Sequence, residues 1–258
     1  GEATIRVKPG PDPERSEETT FMTNDDMLTK CHQPSQKWIE AGSGSLGRVF
    51  VEVLQCHGLP NLDVGVGNLT DAFVSLIFED AMVQTDTIDD CLSPRFMPWT
   101  QRAFAFNRIH PLSSLYIGVF DYDSGPTEHD GIGRCCVNLE NLRPSLTYTL
   151  TYALYPSSVM TDREVKGTVT IRVRLETPDE KALLIASRKE MPTFHLNVKK
   201  NKSLGVAKYT LYGEVDEDKY NMTLLRSYVN EIMTYKRRAS YSIGDAMRSL
   251  IFWRGQVK

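Results

Sequence analysis

Between residues 46 and 176 the chain alternates apolar and polar positions with a period of two. GRVFVEVLQ, DAFVSLIFE, MVQTDTI, WTQRAFAFN, SLYIGVFDYD, GIGRCCVNL, TYTLTYAL and GTVTIRVRLE are eight short runs rich in Val, Ile, Phe, Tyr and Thr. Gly, Pro, Asn, Asp and Ser separate them, as turns require. Eight strands in so short a stretch predict an all-β, antiparallel sandwich or barrel. No helix-length pattern interrupts them, which excludes a doubly wound α/β fold.

On either side the period changes. In YNMTLLRSYVNEIMTYKRR, the residues Leu225, Tyr228, Val229, Ile232 and Met233 recur at helical spacing, as do Ile243, Ala246, Met247, Leu250 and Ile251 in IGDAMRSLIF. Two amphipathic helices are expected. Asp216, Glu217 and Asp218 precede the first, and Lys236, Arg237 and Arg238 follow it, the arrangement a helix dipole favours. Residues 187–212 fit neither period. Residues 11–36 are polar, Pro-containing and aperiodic and ATIRVKP ahead of them alternates like a strand, so residues 1–45 are expected to be a linker, mostly disordered.

Charge sharpens these divisions. The net charge of −3 separates into −3 over residues 1–45 (5 basic, 8 acidic), −6 over 46–176 (10 and 16) and +6 over 177–258 (15 and 9). Domains are therefore expected at 46–176 and 177–258, an acidic sandwich followed by a basic extension. An acidic sandwich argues against nucleic acid as a partner. With 41% hydrophobic and 24% charged residues the composition is that of a globular protein. There is no apolar run long enough to span a bilayer and no basic-then-apolar leader, and the first residue is Gly, so a fragment of a longer protein is expected. The five cysteines, Cys31, Cys56, Cys91, Cys135 and Cys136, lack metal-ligand spacing and predict reduced thiols in a cytoplasmic setting.

The candidate chemistry lies in two acidic loops. VFDYDSGPTEHDGIG carries Asp121, Asp123 and Asp130 with no Lys or Arg among them; GLPNLDVGVGNLTDAF, between the first two predicted strands, carries Asp63 and Asp71. Like charges crowded in a loop repel unless water or a cation takes up the charge. Calcium takes roughly six to eight oxygen ligands in irregular geometry, which carboxylates on loops supply; magnesium wants a stricter octahedron, and zinc wants His or Cys, of which these loops offer His129. His57, His110 and His129 have no Ser or Cys at a nucleophile motif, so no catalytic residue is assigned and no enzyme is expected.

The succession GRVFVEVLQCHGLPNLD, LTDAFVSL, SLYIGVFDYD, HDGIG resembles a C2 domain, the calcium-dependent phospholipid-binding β-sandwich. The resemblance implies an eight-stranded sandwich of the permuted, phospholipase-type topology, since an acidic loop follows the first strand and GTVTIRVRLE closes the domain. It implies two or more Ca2+ ions held by Asp63 and Asp71 from the first loop and Asp121, Asp123 and Asp130 from the third, with the Leu62 and Tyr122 carbonyls completing the shell. It also implies an anionic phospholipid membrane as partner, met by Val64, Val66 and Leu69 at the first loop's tip. Both loops depart from the usual family spacing: Asp63 and Asp71 are eight apart, Asp123 and Asp130 seven. The tail AMRSLIFWRGQVK is similar to the segment ahead of the membrane region in multiple-C2-and-transmembrane proteins, which tether the endoplasmic reticulum to other membranes. The expectation is a calcium-responsive module of a membrane-anchored tether. Two alternatives stay open: a calcium-independent scaffold for protein partners, and the targeting module of an enzyme whose catalytic domain lies elsewhere.

Overall fold

A computed structural model of the chain describes residues 5–6, 21–63, 68–124, 128–157, 165–196 and 201–214. Residues 1–214 form one compact unit and 215–258 another. The two amphipathic helices expected at 220–258 lie outside the described residues, as do Val64 and Val66.

All eight expected strands form: β4 (Arg48–His57), β5 (Ala72–Phe78), β6 (Ala81–Gln84), β7 (Ala103–Asn107), β8 (Ser114–Asp121), β9 (Asp130–Asn138), β10 (Thr147–Ala153) and β11 (Thr168–Glu176). Ahead of them stand β1 (Ile5–Arg6), β2 (Phe21–Met22) and β3 (Ile39–Ala41). One sheet runs β10-β11-β4-β7-β3, the other β6-β5-β8-β9. The first sandwich strand and the last pair antiparallel from Arg48↔Glu176 to His57↔Thr168. The loop after His57 therefore leaves one end of the sandwich and the chain after Glu176 leaves the other. Val51, Val53, Phe104 and Ile171 from one sheet meet Val74, Leu76, Ile117 and Val119 from the other in a single apolar core, the product of period-two burial on both inner faces.

The segment expected as linker is partly folded. Thr23 caps an eight-residue helix, α1 (Asn24–Cys31), in a reciprocal pair: Asp26 N–H donates to the Thr23 hydroxyl and Thr23 N–H to the Asp26 carboxylate. Met22, Met27 and Cys31 pack with Met97 in a small second core. Strand β3 then pairs with β7, parallel, adding a ninth strand among the described residues of the sandwich. The physical reason lies in Arg102, fully buried, whose guanidinium donates to the carbonyls of Cys31, Gln33 and Phe96 and to Ser35 Oγ. A buried cation needs such partners, and the N-terminal backbone supplies them.

Beyond β11, α2 (Glu180–Ala186) is capped by Asp179 and buries none of its residues. The stretch that fitted neither period contains α3 (Asn201–Tyr212), which lies on the outer face of the four-stranded sheet. Val206 packs on Phe73 and Phe120, whose rings stack at 5.3 Å, and the Tyr209 ring meets Phe120 edge-on. Gly118 permits this approach: a Cβ there would come within 2.6 Å of Thr210 Oγ1. Arg134 Nε donates to the Thr210 carbonyl, and Gly213, at φ 76°, ends the helix in the left-handed region. Strand β5 is buried on both faces because one looks into the core and the other lies under α3. Burying Val206 stabilises the docked helix by about 1.5–3 kcal/mol. Against that, Ser75 Oγ on β5, Tyr209 OH and Thr210 Oγ1 are buried without a hydrogen-bond partner, each at a cost of about 1–3 kcal/mol.

Candidate metal centre

The register of β5 and β8 brings the two acidic loops together. Ala72 pairs with Asp121, so Asp71, one residue before β5, stands beside the end of β8. There Asp71 N–H donates to Asp121 Oδ1 at 2.8 Å, and Tyr122 N–H donates to the Asp71 carbonyl at 2.9 Å. The first loop is braced from within: Leu62 N–H donates to Thr70 Oγ1, Thr70 Oγ1 to the Pro60 carbonyl, and Asn61 Nδ2 to the Asn68 carbonyl.

Asp121 is 5% exposed, and its charge is opposed from several sides. Burial raises its carboxyl above the ordinary value; the Asp71 N–H pulls it down, and the Asp63, Asp123 and Asp71 carboxylates push it up again. Three of the other four expected aspartates thus act on Asp121. Asp130 is exposed and faces Asp121 across the β8–β9 register. Leu62 and Tyr122 are exposed, and Leu69 is half-buried with its N–H donating to Asp90 Oδ1. None of the ion pairs among the described residues reaches the five aspartates.

Two neighbours of the cluster were not expected from the sequence. Asp90 comes from the β6–β7 connection, at φ 51°, and its own N–H donates to Asp71 Oδ1 at 2.8 Å. It ties a third loop end to the first; the acidic pair in TIDDCL was its signal. His129 accepts from Asp123 N–H through Nδ1 at 3.0 Å and stacks on Tyr122 at 4.9 Å between ring centroids. Burial first, then Lys202, lower its pKa, so the ring is neutral with an unprotonated Nδ1.

The donor set suits a hard cation. Asp71 and Asp121 each give one oxygen to a backbone N–H and keep the other, and the Asp63 and Asp123 carboxylates add oxygens nearby, an all-oxygen set of calcium type. Among the described residues, no three His, Cys, Asp or Glu side chains are gathered tightly enough to hold an ion without further adjustment of the loops.

The family model for the C2 domain matches residues 47–154, which take in both acidic loops and the strands β5 and β8 that hold them. Those residues are a C2 domain. No curated protein sequence matches the chain. Among solved structures, the first C2 domain (domain A) of plant Extended Synaptotagmin 1 is 20% identical over 54% of this chain and all of that one, at a TM-score of 0.45. The paired C2 domains (A and B) of Extended-Synaptotagmin 2, calcium bound, are 20% identical over 51% of this chain, and human GIVD cytosolic phospholipase A2 is 18% identical over 53%, both at a TM-score of 0.42. The overlap spans 46% and 18% of those two chains. The C2 domain here is a β-sandwich with its acidic loops at one end.

Proposed function

We propose that this C2 domain binds phospholipid membranes in response to calcium, as part of a larger membrane-anchored tethering or trafficking protein, and that it is a binding module with no catalytic role. One observation carries the reading: a nearly fully buried aspartate, Asp121, faces three other carboxylates without an ion pair among the described residues. Asp63, Asp71, Asp121 and Asp123 would hold the ion, with Asp130 and the Leu62 and Tyr122 carbonyls at the periphery. Calcium held there would supply the positive charge that offsets these carboxylates and attracts lipid phosphate. The chain's own residues do the rest. Without an ion the acidic edge repels an anionic surface; once neutralised, Val64, Val66 and Leu69 of the first loop's tip can enter the headgroup layer.

The extension at 177–258, with its +6 charge, is proposed as the basic segment adjoining the membrane, on the endoplasmic reticulum side of a contact. No described helix is long and apolar enough to cross a membrane. The scaffold alternative draws on one feature, the absence of a tightly gathered ligand group among the described residues.

Sedimentation with phosphatidylserine vesicles separates the two. Capture is expected with calcium and not with chelator, and it should weaken in Asp121→Asn and Asp123→Asn. Equal capture in chelator would overturn the calcium reading.

A further inference from the structure

Lys202, in the first turn of α3, lies outside the residues that match the C2 family, yet its Nζ donates to the Asp123 carbonyl at 2.9 Å. It is a cation delivered to the third acidic loop by the chain itself. Glu128, in the same loop, stands against α3 at Gly205, where a Cβ would lie 2.8 Å from Oε2. One end of α3 therefore engages the loop that carries Asp123. The rest of the helix sits on Phe73 and Phe120, strand residues just inside Asp71 and Asp121.

We infer that Lys202 is a built-in competitor for the divalent cation, and that α3 is the strap that holds it there. This rests on the calcium reading above. The ammonium occupies a backbone carbonyl oxygen of the third acidic loop, at the edge of the cluster. A calcium ion arriving beside it meets like charge, and both lose by sharing the site. Because coupling between two binding events is reciprocal, whatever factor docked α3 takes from calcium affinity, calcium takes from α3 docking. The seat of α3 suits release. Three buried hydroxyls, Ser75 Oγ, Tyr209 OH and Thr210 Oγ1, have no partner while it is docked, and Tyr209 and Thr210 regain water when it lifts. Calcium affinity is then set by a residue outside the ion's own ligand loops, and ion binding loosens the segment that leads into residues 215–258.

The test is a calorimetric calcium titration of the full chain. Lys202→Met should bind calcium on the order of tenfold more tightly than the unaltered chain, and Lys202→Arg, which keeps charge and donor, should stay within about twofold of it. Lys181→Met, on α2 at the far end of the sandwich, makes the same change in net charge and should leave affinity unchanged. Val206→Asn, which unseats α3 without touching a loop, should tighten calcium binding as Lys202→Met does and covers the case in which the Lys202 variants perturb the loop. In the unaltered chain, saturating calcium should speed amide exchange in residues 203–210 by the same tenfold factor. Equal affinities for Lys202→Met and the unaltered chain, or an equal gain in Lys181→Met, overturn the competitor role and leave the calcium reading standing. No calcium heat in any of the proteins overturns both.

Discussion

Two regions of this molecule bury charge, and they do so in opposite ways. At the N-terminal segment, Arg102 and Arg172 converge on Glu52: Arg172 Nη1 lies 2.8 Å from Oε2 and Arg102 Nη2 3.6 Å from Oε1, while Ser35 donates to Oε1 through both its N–H and its hydroxyl. Every charge there has a partner of opposite sign or a carbonyl. At the loop end, Asp121 is as buried as Glu52, at 5% and 4% exposure, and its nearest charges are other carboxylates. A cluster of paired charges holds a segment in place; a cluster whose carboxylates outnumber the one lysine at its edge asks for a cation from outside. The first is architecture and the second has the character of a binding site, although each centres on one buried acid of a strand, Glu52 on β4 and Asp121 on β8.

The largest way to break the comparison is to remove the cation from the neutralised side. Arg102→Met leaves Glu52 with only Arg172 and deprives the Cys31, Gln33 and Phe96 carbonyls of their donor. Breaking a buried pair in this manner costs about 3–5 kcal/mol. Urea unfolding in chelator should show that loss, with the same deficit when calcium is present. A deficit under about 1 kcal/mol would mean that water replaces the guanidinium and that the N-terminal segment is held by its methionine cluster alone.

The same kind of change on the other side should have the opposite sign. Asp121→Asn removes one of four mutually repelling charges, so in chelator the fold is expected to be as stable as the unaltered chain or slightly more so. Calcium is where the loss appears: at free ion 100 times the dissociation constant, binding to the native state alone adds about 2.7 kcal/mol, and Asp121→Asn should forfeit most of it. Paired thermal melts, with calcium and with chelator, check both halves. An unaltered chain whose midpoint ignores millimolar calcium would end the distinction between the two regions.

How far the sequence carried these conclusions differs between the regions for physical reasons. Strands announce themselves by alternation, and all eight expected between 46 and 176 form. The aspartates were legible because several acids in a short loop without a base are costly. What stayed hidden depended on long-range contacts. Helix α1 is shorter than a periodicity window, and only T-N-D-D, with Asp26 at the third helical position, marked its start. Strand β3 has three residues and exists because β7 offers an edge. Arg102 looks like any strand-end arginine until Cys31 and Gln33, about 70 residues away in sequence, turn their carbonyls to it. The cover by α3 has one trace in the sequence: DAFVSLIFE is apolar on both faces, and a strand of that kind needs a layer on each side.

Thiol chemistry gives the smallest effect and reads both regions in one sample. Cys31, at the C-terminal end of α1, is fully buried, and burial, against the opposing pull of Arg102, pushes its thiol up from the ordinary value. Cys91 is half-buried and adjoins Asp90, with its N–H donating to the Thr70 carbonyl of the first acidic loop. At mildly alkaline pH a soluble disulfide reagent should modify Cys91 and exposed Cys136 promptly. Cys31 should follow only as the N-terminal segment opens, because the thiolate is the attacking species and burial denies both charge and access. Cys135, next in sequence to Cys136, is an internal control: burial pushes its thiol up to about 12, against 9.0 for a free one, so its thiolate is scarcer by about a thousandfold. The comparison then predicts two separate responses, read residue by residue from peptide mass. Arg102→Met should hasten Cys31 and leave Cys91 alone. Calcium, by drawing the acidic loops around Asp71 and Asp90 together, should slow Cys91 and leave Cys31 alone. If calcium slowed both equally, or if Arg102→Met hastened both, the neutralised cluster and the acidic cluster would be opening as one unit, and the division of labour between them would have to be given up.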